Sequence, residues 1–249
     1  FFASNKDFIL LGSGHNIILS KEHYQIPIVL FNGNYNKITQ IDNGFLEIEA
    51  GAMMWDVAKF ALEKGLSGLE IFWDIPSTLG GAVVMNAGAN GEEIKDVLYK
   101  VRYLDLSDNL VKEISTEDIS FEYRNSFFQK NSDKIVLKAW LKLQNGNKVA
   151  ISEKMESIKL QRWSKQPKNF PNAGSVFKRP KGYFVGAMIE GLGLKGFTIG
   201  GAKISVKHGG FIVNFNNATG QDILDIISFV KKQVHEKYHI NLEIEQRII

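Results

Sequence analysis

Ile75-Pro76-Ser77-Thr78-Leu79-Gly80-Gly81-Ala82-Val83-Val84-Met85-Asn86-Ala87-Gly88-Ala89-Asn90-Gly91 is the stretch on which the reading of this chain turns. Small residues fill most of it and leave little side-chain bulk to pack a core. Backbone of that kind often lies against a ligand. The plainer reading is a glycine-rich loop between strands, and the paired Gly80-Gly81 with the embedded Asn86 argue against it.

Upstream, Phe8 to Leu11 is a short apolar run, read as a buried strand, and it leads into Leu11-Gly12-Ser13-Gly14-His15-Asn16. Two glycines let backbone N–H groups approach an anion without interference from Cβ, which suits a phosphate. The third glycine and following helix of a Rossmann fingerprint are missing. Ile26 to Leu30 reads as another buried strand and Phe45 to Ala50 alternates. Met54, Val57, Ala58, Ala61 and Leu62 form one apolar stripe of a helix that Gly65 closes in the left-handed conformation.

Downstream, Tyr123-Arg124-Asn125-Ser126 follows a short helix expected near Ser115. The planar fork of an arginine suits a carboxylate or phosphate, although an isolated Arg is more often a surface residue. Ile135, Leu137, Ala139, Leu141 and Leu143 point one way and Lys138 and Lys142 the other until Asn145-Gly146 turns the chain, the pattern of a half-exposed strand. Pro167, Pro171 and Pro180 then mark a junction or a site loop. Lys165, Lys168, Lys178 and Arg179 surround Asn172-Ala173-Gly174-Ser175-Val176, which reads equally as an anion-gripping loop or as a solvated connection. It lacks the G-x-S-x-G elbow of serine hydrolases. His208-Gly209-Gly210 precedes a strand from Phe211 to Asn214 and is placed to line a site, with a loop histidine as the plainer reading. Ile223, Ile227, Val230 and Val234 repeat at helical spacing behind Thr219, and Asn241 to Ile249 reads as a final strand with Glu243 and Glu245 on one face.

The remaining properties exclude more than they assign. With 249 residues, 44% apolar and 23% charged, the chain has room for one large or two modest domains, interleaving helices and strands as two α+β lobes. Thirty Lys and Arg against 27 Asp and Glu leave +3, too balanced for gripping a polyanion, so no nucleic-acid partner is expected. Without cysteine there is no disulfide and no thiolate chemistry. His235 and His239 lack a third ligand, so no metal is expected. No apolar run reaches the roughly 20 residues that cross a bilayer, so a membrane span is not expected and a cytoplasmic home is. Oligomeric state has no signature here.

Taken in order, Gly12 to Asn16, Gly68-Leu69-Glu70, Ile75 to Gly91, Tyr123-Arg124, Lys165-Gln166-Pro167 and Gly174-Ser175-Val176-Phe177-Lys178 resemble the UDP-N-acetylenolpyruvoylglucosamine reductase family, flavoenzymes of bacterial peptidoglycan synthesis. The resemblance continues through Gly193 to Gly196, Gly200-Gly201-Ala202, Lys207 to Asn214 and Leu242-Glu243-Ile244-Glu245, and suits the shorter subtype that lacks a tyrosine-bearing loop. It implies an α+β chain. An FAD-binding domain of the vanillyl-alcohol-oxidase (PCMH) type spans 1–163, a smaller α+β substrate-binding domain spans 164–242, and a terminal strand, 243–249, carries a catalytic glutamate. It further implies non-covalent FAD, NADPH as reductant and a UDP-sugar substrate. In that chemistry the reduced flavin delivers hydride to C3 of the enolpyruvyl group, and a serine matched by Ser175 protonates C2. Arg124 and Glu245 match residues that polarise the substrate carboxylate and stabilise the enol-like intermediate. Cofactor contacts fall on Gly12, Ser13, Gly14, His15, Asn16, Ile75, Ser77, Thr78, Gly80, Gly81, Asn86, Gly88 and Gly91, and substrate contacts on Lys165, Arg179 and Lys195, the last toward the diphosphate.

Three positions depart from the family pattern. His15 stands for a serine, Ser77 for a glycine and Asn90 for an aromatic residue. Should Ser77 adopt a positive φ, the cost is about 1 kcal/mol. The resemblance also leads one to expect further strands and a helix before the glycine turn, so that 249 residues would describe an incomplete first lobe. These points leave open a second reading, a flavin- or UDP-sugar-binding relative without turnover. A flavin-linked oxidase is a third, disfavoured because neither cysteine nor a well-placed histidine offers covalent flavin attachment.

Overall fold

The alternating runs become one five-stranded antiparallel sheet in the order Leu110–Ser115, Leu98–Asp105, Lys134–Lys142, Phe45–Glu49 and Ile38–Asp42. This computed structural model describes residues 1–2, 4–5, 7–31 and 35–249. They form two compact units, Phe1–Ser13 with Ile26–Leu160, and Gly14–Gln25 with Gln161–Ile249.

In unit 1, helix α1 (Met54–Lys64) buries Met54, Val57, Ala58 and Ala61 and ends at Gly65 with φ 69°. Helix α2 (Leu79–Met85) occupies the middle of the small-residue stretch, where the sequence alone signals no helix. Docked backbone explains it: Leu79 N–H donates to Ala52 O and Gly80 N–H to Ala50 O, both at 2.8 Å. A Cβ at Gly80 would lie 3.2 Å from Ala50, so the helix tolerates a residue that costs about 1 kcal/mol relative to alanine because the approach is close. Leu46, Ile48, Val57, Phe72, Leu79, Ile94, Val101 and Leu141 share the core between sheet and helices. Each is worth about 1.5–3 kcal/mol of burial.

Two strand expectations need correction. The Lys134–Lys142 strand is not half-exposed: Val136 and Trp140 on its second face are buried as well. It lies centrally in the sheet, and Lys100 Nζ, 4.3 Å from the Trp140 ring centroid, and Arg102 cover the indole while Lys138 pairs with Glu47. Alternation identifies the core face but not the long cationic side chains that roof the other. Conversely, Ile9–Leu11 and Ile28–Leu30, expected to be buried, pair in parallel as a separate two-stranded ladder. Ile28 and Leu30 remain 43% and 58% exposed, since an apolar run does not by itself supply a covering layer.

Helix α3 (Phe127–Lys130) lies inside unit 1, and the chain leaves that unit within helix α4 (Lys148–Lys165). In unit 2, α5 (Val185–Gly191) and α6 (Gly220–Tyr238) pack with a three-stranded antiparallel sheet of Thr198–Ile199, Ala202–Ile204 and Ile212–Asn214. A capping box starts α6: Asp222 N–H donates to Thr219 Oγ1 at 3.1 Å and Thr219 N–H to Asp222 Oδ2 at 2.9 Å. The expected final strand, Asn241 to Ile249, shrinks to Arg247–Ile248 and a single bridge between Phe177 and Ile244. Its partner, Ile17–Ile18, is only two residues long and pairs in parallel. That pairing draws residues 14–25, which the sequence suggested for the first domain, into unit 2. No local pattern announces a partner so far away in the chain.

Candidate active site

Within unit 1 the two glycine-bearing segments meet. Ser13 Oγ donates to Pro76 O at 2.9 Å, and a Cβ at Gly12 would lie 2.3 Å from Thr78 Oγ1, so only glycine fits there. Thr78 is fixed in turn, because its hydroxyl accepts from Gly81 N–H at 3.3 Å as the cap of α2. Ser77 is tied through its backbone, donating to Ile75 O at 2.9 Å and accepting from Met54 N–H at 2.8 Å. Its φ is not positive, so the strain considered for a glycine position does not arise. Its Oγ is buried without a hydrogen-bond partner among the described residues.

The other end of the stretch is held by side chains. Asn86 ends α2 at φ 44° and is fully buried, its Nδ2 donating to Glu93 Oε2 at 2.8 Å and to Glu122 O at 3.0 Å. Its Oδ1, like Ser77 Oγ, is buried without a partner among the described residues. Gly88–Ala89 pairs with Glu92–Glu93 around Asn90-Gly91, whose φ values are 56° and 91°. Two successive left-handed residues define the type I′ turn, for which Asn-Gly is the favoured pair, and this accounts for Asn90. Arg124, at φ 54°, spreads its fork over this segment: Nη1 donates to Asn86 O at 3.2 Å and Nη2 to Gly88 O at 2.7 Å, with Glu93 Oε1 3.8 Å away. Sequence reasoning missed Glu93 and the buried Ser126, whose Oγ donates to Val84 O at 2.7 Å. Nothing in the sequence separates Glu93 from its neighbour Glu92.

Within unit 2, Ser175 and Glu245 lie on adjacent extended segments. Glu245 N–H donates to Val176 O at 2.8 Å, Lys178 N–H donates to Glu243 O at 2.9 Å, and Phe177 bridges Ile244. On the other side Val176 N–H donates to Gly210 O at 3.0 Å and Ser175 bridges Phe211. Gly174, at φ 78°, turns the chain into this register, and buried Gln246 secures the turn, its Nε2 donating to Ala173 O at 2.9 Å and Gly174 O at 3.1 Å. Gln246 carries no sequence signal. Ser175 is exposed. Asn16 joins the pair, with Nδ2 donating to Glu245 O at 3.3 Å and its own O accepting from Arg247 N–H at 2.9 Å. Gly14, at φ 75°, and His15 are exposed.

The other expected substrate residues take separate positions. Lys165 is the exposed last residue of α4. Lys195 pairs with Glu190 at 2.8 Å. Arg179 donates from Nε to Tyr183 O at 3.3 Å and lies 3.8 Å from the Phe184 ring centroid. His208 is held below the usual histidine pKa by burial first, with the Lys195 charge adding to it.

The unit-1 residues fit a bound flavin. Buried polar atoms nearly always find partners, so two orphans in one short stretch, Ser77 Oγ and Asn86 Oδ1, suit a non-protein partner. Residues 2–115 match the FAD binding domain family. Fold and site thus define an FAD-dependent oxidoreductase, with an FAD-binding domain of PCMH type joined to a second α+β domain. Residues 166–249 match the family described as UDP-N-acetylenolpyruvoylglucosamine reductase, C-terminal domain. UDP-N-acetylenolpyruvoylglucosamine reductase of Caldanaerobacter subterraneus subsp. tengcongensis is 44% identical over 242 residues, covering 97% of this chain and 79% of the relative. The Francisella tularensis protein of that name is 44% identical over 247 residues, covering 98% and 86%. The crystal structure of the Thermus caldophilus reductase (MurB) superposes with a TM-score of 0.85 at 32% identity, over 99% of this chain and 86% of that one. The chain belongs to the UDP-N-acetylenolpyruvoylglucosamine reductase family. No helix among the described residues is long and apolar enough to cross a membrane.

Proposed function

We propose that this protein reduces UDP-N-acetylglucosamine enolpyruvate to UDP-N-acetylmuramate at the expense of NADPH and a proton, a step of peptidoglycan precursor synthesis. The observation that carries this reading is the register that sets Glu245 against Val176, directly beside exposed Ser175. When bound, FAD supplies the two-electron relay from NADPH to the enolpyruvyl carbon. Gly12, Ser13, Ser77, Thr78, Asn86 and Gly88 would hold it in unit 1.

Ser175 Oγ donates the proton that C2 of the substrate takes up. A neutral hydroxyl is a weak acid, so it does this only where the negative charge developing on the substrate is stabilised. The family pattern gives that task to the Arg124 guanidinium and to Glu245, the latter as a neutral carboxyl that donates a hydrogen bond, since an ionised carboxylate would repel the developing charge. The carbonyls of Asn86 and Gly88 hold the Arg124 fork in one orientation, so little reorganisation accompanies the charge change. Lys195 supplies positive charge for the diphosphate, exchanging its Glu190 partner for phosphate oxygens, and Lys165 and Arg179 take the remaining substrate contacts. A reaction of a nucleotide sugar with NADPH is consistent with a cytoplasmic protein.

The test is to purify the protein, record its visible spectrum and follow NADPH oxidation with and without UDP-N-acetylglucosamine enolpyruvate. Substrate-dependent turnover by a yellow protein supports the reading. A yellow protein without turnover turns it into a binding relative, and a colourless, inactive one removes the cofactor assignment.

A further inference from the structure

The mechanism leaves unused a half-buried histidine, His208, that lies in the segment against which Ser175 is registered. The His208 ring fills a space kept open by two glycines: a Cβ at Gly186 or at Gly210 would each lie 3.1 Å from Cε1. It meets the Phe211 ring edge to face at 5.0 Å. Gly210 N–H donates to Nδ1 at 3.0 Å. The rest of the turn is closed around it, with Ser205 Oγ accepting from Lys207 N–H at 3.1 Å and His208 N–H at 3.3 Å, and Phe211 N–H donating to His208 O at 3.1 Å.

The hydrogen-bond direction fixes the protonation state. A backbone N–H only donates, so Nδ1 must be a lone-pair acceptor and the ring must be neutral with its proton on Nε2. An imidazolium would set two donors against each other. The bond reaches Ser175 in one step, because Gly210 also accepts from Val176 N–H and Phe211 bridges Ser175.

We propose that His208 is a positioning residue for Ser175: its Nδ1 holds the Gly210 amide, and through it the Gly210–Phe211 segment that sets the serine hydroxyl. The charged groups that bear on the ring are Lys195 and Glu190, paired with each other; burial, the largest influence, and Lys195 favour the neutral form, while a hydrogen bond to the residue's own backbone and Glu190 oppose them. The lock therefore opens in acid.

This inference rests on the proposed role of Ser175, and the experiment separates the two. In the FAD-loaded full chain, His208→Ala should lower kcat at least tenfold while KM for the UDP-sugar and the flavin spectrum stay unchanged. His208→Asn, whose Oδ1 takes the place of Nδ1 as acceptor, should restore most of kcat and abolish the acid loss of activity seen in the native protein. Nitrogen-15 NMR of the native protein at neutral pH should show an unprotonated Nδ1. Full activity in His208→Ala, a folded His208→Asn as poor as His208→Ala, or a protonated Nδ1 would overturn the proposal. If His208→Ala does not fold, the Asn variant and the imidazole spectrum decide. If the native protein shows no turnover at all, the functional reading fails, and the NMR tautomer still judges the lock independently.

Discussion

The Ile75–Gly91 segment of unit 1 and the Ser175–Glu245 pair of unit 2 are built in opposite ways. The first is one continuous stretch held at both ends by hydrogen bonds: Thr78 caps α2, Asn86 Nδ2 donates to Glu93 and to the Glu122 carbonyl, and Arg124 donates to the carbonyls of Asn86 and Gly88. The second has almost no local structure. Its register comes from segments at 16, 210–211 and 243–246, and the Ser175 hydroxyl, the proposed proton donor, is left exposed. The contrast assigns tasks. A locked scaffold suits a cofactor that stays in place, whereas a hydroxyl carried on paired extended segments suits a substrate that comes and goes.

Removing the reactive group breaks the comparison most sharply. Ser175→Ala should lower substrate-dependent NADPH oxidation by about 10²- to 10⁴-fold, the range for loss of a positioned proton donor, with flavin content unchanged. Loss of bound flavin in this variant would mean that the two regions do not divide their work as argued. Arg124→Ala acts on the other side. It deletes two charged hydrogen bonds to the scaffold from a side chain that is only 17% exposed, and should cost about 1.5–3 kcal/mol of stability, read in thermal or urea unfolding, together with weaker FAD retention. Arg124→Lys should recover little, since one ammonium cannot span two carbonyls in the geometry of the fork.

The same contrast explains what the sequence disclosed. Composition marked Ile75–Gly91 because the features that single it out are local: small residues for close approach, Asn-Gly for the turn and a threonine before the helix. It did not disclose α2, because propensity disfavours paired glycines and the docking carbonyls of Ala50 and Ala52 lie elsewhere in the chain. Ser175 and Glu245 were isolated weak signals that only the ordered set of motifs elevated. Their adjacency, and the supporting roles of Gln246, Asn16 and His208, depend on long-range pairing that no periodicity records. Glu93 illustrates the limit from the other side, since one of two neighbouring glutamates anchors Asn86 and the sequence cannot say which.

A pH titration sharpens the unit-2 side. The His208 pKa is lowered in the fold from its ordinary 6.5, chiefly by burial, so the unfolded chain takes up a proton first as pH falls. Its contribution to stability is full above 6.5 and is lost progressively as the pH drops from there toward the lowered folded value. Unfolding by urea at a series of pH values should show this decline, and His208→Asn should lack that component. Gly186→Ala, which crowds Cε1 at 3.1 Å, should lower kcat more than it lowers flavin affinity. An equal effect on both would place the imidazole outside the Ser175 register.

Ser77 gives the smallest effect and the most pointed test of the cofactor side. Its backbone φ is not positive, so Ser77→Gly relieves no strain and should destabilise slightly, by about 0.4–1 kcal/mol, because glycine enlarges the unfolded ensemble. Ser77→Ala removes a buried hydroxyl that has no partner among the described residues. Without flavin it should leave stability unchanged or raised, since an unsatisfied polar group is exchanged for an apolar one of similar size. With flavin it should weaken binding by about 0.5–1.5 kcal/mol, the net worth of one hydrogen bond. The opposite signs of the two effects are what distinguish a ligand-facing hydroxyl from a packing defect: a Ser77→Ala variant that is more stable yet binds FAD as tightly as the native protein would assign the orphan oxygen to imperfect packing, and leave Asn86 Oδ1 as the acceptor that the cofactor must satisfy.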